Sequence, residues 1–206
     1  MTYDPDQAIA ELSKADKKLG KAIRKIGEFQ LSPERMAGTF ETLTRCIIYQ
    51  QLSGKAAGTI HGRVKDLFPR KRIKPELVLD MRDDDLRGAG MSRNKISAIR
   101  DLSEKTLDGT VPTLAKLKRM DDTEIIDRLV QVRGIGQWTV EMLLMFRLGR
   151  PDIMPATDLG IRKGYRVLEG MDEMPKPMEL LSLTEHWTPW RSVASWYLYR
   201  IADQEP

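Results

Sequence analysis

Leu129-Val-Gln-Val-Arg-Gly-Ile-Gly-Gln-Trp-Thr-Val140 decides the fold. Apolar residues spaced by three and four precede it, at Ile125, Ile126 and Leu129, and follow it, at Val140, Leu143, Leu144 and Leu148. That is the period of helices with one buried face. Gly134-Ile135-Gly136 joins them as a tight turn, with Thr123 as the cap of the first helix and the whole motif over about 123–147. Glycine at both ends lets the backbone take positive φ and approach another backbone closely. The amides of Gly136, Gln137 and Trp138 then sit at the positive end of a helix dipole, where a phosphate oxygen binds without its sequence being read. An ordinary corner between two helices fits the same residues, so this block alone leaves two readings open.

The same period extends outward in both directions. Asp4-Pro5 opens a first helix through Ala8, Leu12, Leu19 and Ile23, and Ser32-Pro33-Glu34 reads as the start of the next, with Phe40, Leu43, Ile47 and Ile48 inward. Ser53-Gly54 interrupts that helix, and Ser92 caps one carrying Ile96, Ile99 and Leu102. Pro151 to Thr157 is irregular and reads as a connection between domains. Asp158 opens a helix through Tyr165, and Thr188-Pro189-Trp190 starts the last one. Only 6% of residues are aromatic and no long stretch alternates in period two, so an all-α fold follows.

Composition excludes several chemistries. With 206 residues the chain can bury a real core as one domain or two small ones. One cysteine, Cys46, rules out an internal disulfide, a structural zinc site and a four-cysteine iron–sulfur cluster. His61 and His186 are too far apart for a zinc helix of HExxH type. No apolar run spans a membrane and no signal segment opens the chain. Lys+Arg 34 against Asp+Glu 30 leaves +4, which permits a nucleic-acid partner without arguing strongly for one.

Four segments carry a resemblance. The hairpin block, followed by Gly149-Arg-Pro-Asp-Ile-Met-Pro-Ala-Thr-Asp158, resembles the helix–hairpin–helix and Gly/Pro-rich loop of the HhH-GPD superfamily of DNA base-excision glycosylases. Arg45-Cys-Ile-Ile-Tyr-Gln-Gln-Leu-Ser-Gly-Lys-Ala-Ala57 is similar to that family's glutamine-bearing helix–turn–helix. Trp187-Thr-Pro-Trp-Arg-Ser-Val-Ala194 is similar to the C-terminal signature of its 3-methyladenine glycosylase II (AlkA-type) branch, and Gly90 to Ile99 fits the same branch. The resemblance covers about residues 40–200. It implies two helical subdomains, 39–150 and 1–38 plus 151–206, flanking a DNA-binding cleft, without the branch's N-terminal α/β domain.

Residue by residue, the resemblance assigns roles. Asp158 is the catalytic carboxylate, stabilising the oxocarbenium character of the sugar or activating water, and a helix N-terminus suits such an anion. A plain N-cap is compatible with that role. Asp152 lies outside the matching position. The position of the family's Schiff-base lysine holds Trp138, which has no nucleophile, so a monofunctional enzyme with no lyase activity is implied. Trp138 and Trp190 would wall the base pocket, with Met142 and Tyr49 beside them. Gln50, Gln51, Leu52 and Ser53 would fill the gap left by a flipped base, with Gln51 or Leu52 as the wedge. Gly134, Ile135, Gly136, Gln137, Thr139, Lys55, Arg133 and Arg191 would hold the DNA backbone. No cofactor is required, although carbonyls of Val130, Val132 and Ile135 could hold a monovalent or magnesium ion bridging to a phosphate. Lys95 joins the basic residues that could neutralise phosphates.

The implied function is hydrolysis of the N-glycosidic bond of alkylated purines, 3-methyladenine and 7-methylguanine, in duplex DNA. The protein would act as a monomer without a membrane, in the cytoplasm at the nucleoid of a prokaryote or in the nucleus of a eukaryote. A glycosylase for deaminated, mismatched or oxidised bases and a non-catalytic DNA-binding hairpin module remain as alternatives.

Overall fold

In the computed structural model residues 3–33 and 36–204 are described. Among them the fold is all-α, with no strand. The chain divides into two compact units, Met1–Glu34 with Glu141–Pro206, and Arg35–Val140. The divisions thus fall at 34/35 and 140/141 instead of 38/39 and 150/151.

The first helical stretch is two helices, α1 (Pro5–Ala15) and α2 (Lys17–Ile26). Sequence periodicity runs through the break because both halves keep an apolar face. Asp16 makes the break: it ends α1 in an extended conformation, and its carboxylate accepts the amides of Lys18 at 2.8 Å and Leu19 at 2.9 Å. A short acidic side chain that caps amides competes with continuing helix. The expected helix start at Ser32-Pro33-Glu34 is not seen at Ser32 and Pro33, which are irregular, and Glu34 lies outside the described residues.

In the second unit α3 (Thr39–Tyr49) buries Phe40, Leu43, Ile47 and Ile48. It is followed by α4 (Gly54–Asp66), α5 (Pro75–Asp80), α6 (Asp83–Gly88) and α7 (Arg93–Leu107). Helix α7 packs against α3 and α5. Arg100 on α7 closes the end of α5, donating to the carbonyls of Leu79 at 3.0 Å and Met81 at 2.6 Å and to Asp83 at 2.6 Å. After α8 (Leu114–Leu117) come the two hairpin helices, α9 (Asp122–Leu129) and α10 (Gln137–Leu143). Asp121, not Thr123, is the N-cap of α9. A wide turn over Leu144–Leu148 extends α10, closed by Gly149 in the left-handed region at φ 64°.

The C-terminal part carries α11 (Leu159–Glu169), α12 (Pro177–Leu183) and α13 (Arg191–Gln204). The last helix starts at Arg191, after a single tight turn over Glu185–Trp187. Residues 151–157 are irregular, as expected, but they are not a linker. Ile153, Met154 and Ala156 are buried, and the Ile153 amide donates to Ser192 Oγ at 2.9 Å while Ser195 Oγ donates back to the Ile153 carbonyl at 3.2 Å. The segment lies along α13 because its backbone groups find partners there.

Helices α11 and α13 cross closely. A Cβ built on Gly164 would lie 2.1 Å from the Leu198 carbonyl oxygen, so the two backbones touch directly. Beneath them Asp16 anchors the N-terminal pair. Trp187 Nε1 donates to it at 3.0 Å, and His186 Nε2 lies at 3.4 Å. Burial opposes its ionisation, but hydrogen bonds from Leu19, Trp187, His186 and Lys18 prevail and hold the carboxyl below the ordinary aspartate value.

Two outcomes follow. Gly164→Ala is expected to destabilise the protein by about 3 kcal/mol or more, because the added methyl meets backbone that cannot rotate away; chemical denaturation measures it. Asp16→Ala should cost about 2 kcal/mol at neutral pH through the lost cap and the unpaired indole N–H. Because the folded state lowers this carboxyl's pKa below the ordinary 3.8, its stabilisation is fully present above that value and fades as pH falls through the folded one. The stability gap between wild type and Asp16→Ala should therefore close on going from pH 5 to pH 2, followed by thermal unfolding.

Candidate functional site

The hairpin surface belongs to the second unit. Gly134 takes φ 77°, and the Ile135 amide returns to the Val132 carbonyl at 3.0 Å. Gly136, expected to share the positive φ, does not; a Cβ there would meet nothing within 4 Å, which leaves its backbone face open. The side chain of Ile135 is buried, so only its backbone can reach a ligand. The Arg133 amide is fixed by Asp101 Oδ2 at 2.7 Å, and Asp101 is braced by Lys105. Burial of Asp101 works against its charge, yet these donors outweigh it and keep the carboxyl below the ordinary range. Trp138, at the expected position for a pocket wall, is 46% exposed and so is no core aromatic. Gln137 is exposed, and Thr139 is half-buried with its amide bonded to the Gly136 carbonyl at 2.9 Å.

The loop between α3 and α4 lies against that hairpin. Gln50 Nε2 donates to the Gly134 carbonyl at 2.7 Å. Gln51 sits in the left-handed region at φ 57°, and it and Leu52 project from the surface, Leu52 39% exposed. Ser53 caps α4 through the Ala56 amide, and Lys55 is exposed in the first turn. Lys95, expected among the phosphate neutralisers, is half-buried. Its ammonium donates to the carbonyls of Ile48 at 2.8 Å and Gln50 at 2.9 Å, closing the end of α3; burial lowers its pKa. A polar groove of about 430 Å³ is lined by Gln50, Gln51, Ser92, Lys95, Arg133 and Gly134, among others. Tyr49 packs inside its own unit, with the Arg45 guanidinium 4.5 Å over its ring and the His61 ring 6.1 Å away.

The carboxylate site belongs to the other unit. Asp158 caps α11, accepting the Ile161 amide at 3.0 Å. The Tyr199 hydroxyl on α13 hydrogen-bonds the same carboxylate and lies 3.8 Å from the sulfur of Met142. Burial first, then the charge and hydrogen bond of Asp158 and the charge of Glu141, push the Tyr199 phenol far above its ordinary value. Gly160 makes room for the pair: a Cβ there would lie 3.1 Å from Asp158 Oδ1 and 3.1 Å from the Tyr199 ring.

Trp190 is positioned by two groups that the sequence reading missed. Its indole N–H donates to Glu11 at 2.5 Å, and the Tyr3 ring stands 5.8 Å from it. The indole hydrogen bond, then Gln7, lowers the pKa of Glu11. Arg191, expected on the DNA backbone, is held in a fork by Asp152, at 2.6 Å and 2.7 Å. That hydrogen bond raises the guanidinium's pKa further. Asp152, passed over as off-position, thereby orients the start of α13. Trp187 and Trp196 are buried and structural.

Residues 44–189 match the model of the HhH-GPD superfamily of base excision DNA repair proteins. The chain is 37% identical over 200 residues to a DNA-3-methyladenine glycosylase 1 of Schizosaccharomyces pombe, covering 95% of this chain and 87% of the relative. The structure of the Schizosaccharomyces pombe 3-methyladenine DNA glycosylase Mag1 in complex with abasic DNA superposes with TM-score 0.81 at 37% identity, over 94% of this chain and 95% of the other. A DNA-3-methyladenine glycosidase of Bacillus halodurans superposes with TM-score 0.87 at 34% identity, over 98% and 91%.

Replacing Lys95 by Met keeps the aliphatic stem but leaves two carbonyls at the end of α3 without their donor. The expected loss is about 1–2 kcal/mol of stability, read as a lowered midpoint in chemical denaturation.

Proposed function

The chain belongs to the HhH-GPD superfamily of base excision DNA repair proteins, and from that premise we propose that it is a monofunctional glycosylase for alkylated purines. The supporting observation is Asp158, a carboxylate fixed at the start of α11 by the Ile161 amide. Such an anion stabilises the positive charge that grows on the deoxyribose as the N-glycosidic bond breaks. Water adds to the sugar carbon, the bonding pair leaves with the base, and the products are a free base and an abasic site. A purine alkylated at N3 or N7 already carries positive charge, so it departs neutral without an acid to protonate it. Trp138 and Trp190 are electron-rich faces suited to such a cationic base.

The reading extends to the rest of the machinery. Gln51 and Leu52 are the exposed side chains offered to the gap left by a flipped nucleotide, with Gln50 and Ser53 shaping their loop. Backbone at Gly134, Gly136, Gln137 and Thr139, with Lys55 and Arg133, would carry phosphate contacts. The carbonyls of Val130, Val132 and Ile135 are hard oxygen donors that suit a monovalent or magnesium ion, although Val132 already accepts the Ile135 amide. The protein would act as a monomer on duplex DNA, in the nucleoid or the nucleus. Among the described residues no helix is long and apolar enough to cross a membrane.

Incubation with methylated duplex DNA, followed by chromatography of released bases, tests the proposal. Wild type should release 3-methyladenine and 7-methylguanine, and Asp158→Asn should be slower by about 100-fold or more. Absence of release by wild type would refute it. Borohydride should trap no covalent complex, since residue 138 offers no amine. A panel of deaminated and oxidised bases reads the substrate range.

A further inference from the structure

We propose that Tyr199 is a positioning residue for Asp158, its hydroxyl donating to the carboxylate and holding that anion in one orientation. The inference rests on the glycosylase reading and concerns how its carboxylate is held. Three observations converge on the pair. The Ile161 amide fixes Asp158 Oδ1 at 3.0 Å from within α11. Tyr199 reaches the same carboxylate from α13. Gly160 stands between them, where a Cβ would come within 3.1 Å of both Oδ1 and the Tyr199 ring, and so would wedge them apart.

The direction of the hydrogen bond is set by charge. A neutral phenol beside an anion can only donate. Its neutrality is secured, because burial, the charge of Asp158, their hydrogen bond and the charge of Glu141 on α10 all raise the phenol. The Phe146 ring stands 6.4 Å from the Tyr199 ring, and the Met142 sulfur, a second acceptor for the hydroxyl at 3.8 Å, is far weaker than a carboxylate. Arg162, the nearest cation along α11, is turned toward the Pro175 carbonyl at 2.8 Å.

Two donors on one carboxylate restrict its rotation, which keeps an oxygen aimed where the sugar's charge develops. An anion already oriented stabilises that charge without having to move during the reaction.

The experiment measures kcat and KM for base release from methylated duplex DNA with wild type, Tyr199→Phe, Gly160→Ala and Asp158→Asn, with thermal unfolding of each. Tyr199→Phe keeps the ring and its packing and removes only the donor. Its kcat is expected to fall about tenfold, with KM little changed. Gly160→Ala should lower kcat in the same way by less, and it reports on the contact should Tyr199→Phe fail to fold. A ring with a purely structural role would lower stability without lowering kcat in the folded variants. Wild-type release with kcat unchanged in the folded variants overturns the role of Tyr199 alone. No release by wild type overturns the glycosylase reading and this role together.

Discussion

Everything about the carboxylate depends on two helix backbones that touch without a side chain between them. At Gly164 the Leu198 carbonyl occupies the volume that any Cβ would need. Helices packed through side chains run about 8–10 Å apart, and at such a distance a residue of α13 would face the start of α11 across intervening atoms. Contact at Gly164 draws α13 in, and the residue after Leu198 is Tyr199, which then reaches Asp158 past a second missing Cβ at Gly160. Two glycines one helical turn apart thus bring a donor and an anion together.

The second unit solves a different problem, the support of a loop with exposed side chains. Ends of helices leave carbonyls without partners. At the end of α3 the ammonium of Lys95 fills that need, and Gln50 ties the same loop to the Gly134 carbonyl of the hairpin. The hairpin in turn is fixed through the Arg133 amide by Asp101. Loop and hairpin are therefore fastened by α7, which supplies both Lys95 and Asp101. The polar groove along them is a by-product of turning these groups inward.

What could be read in the sequence follows from what is local. Helical spacing, the caps at Asp4, Ser92 and Asp158 and the tight Gly134–Gly136 turn depend on neighbours a few residues apart, and the all-α class and most helices came through. Asp16 defeated that logic because its two amide contacts, though local, break a pattern that is apolar on both sides. The pairings Glu11–Trp190, Asp152–Arg191 and Asp158–Tyr199 join distant or unmatched positions. No periodicity marks them, and a basic residue next to a tryptophan looks the same whether it faces phosphate or an aspartate. The glycines at 160 and 164 were the available signal for Tyr199, since small residues in a helix interior often mark close approach.

Gln51 carries a consequence for search. A non-glycine residue in the left-handed region is strained by on the order of 1–3 kcal/mol, and it is kept there by its neighbour Gln50, whose carbonyl is held by Lys95 of α7 and whose side chain is tied to the hairpin. The strain was met once, on folding. A protein that samples base pair after base pair along a chromosome would otherwise lose loop entropy at every encounter. With the loop already shaped, each visit to an undamaged pair can end quickly, and the time on DNA is governed by the base pair's own reluctance to open.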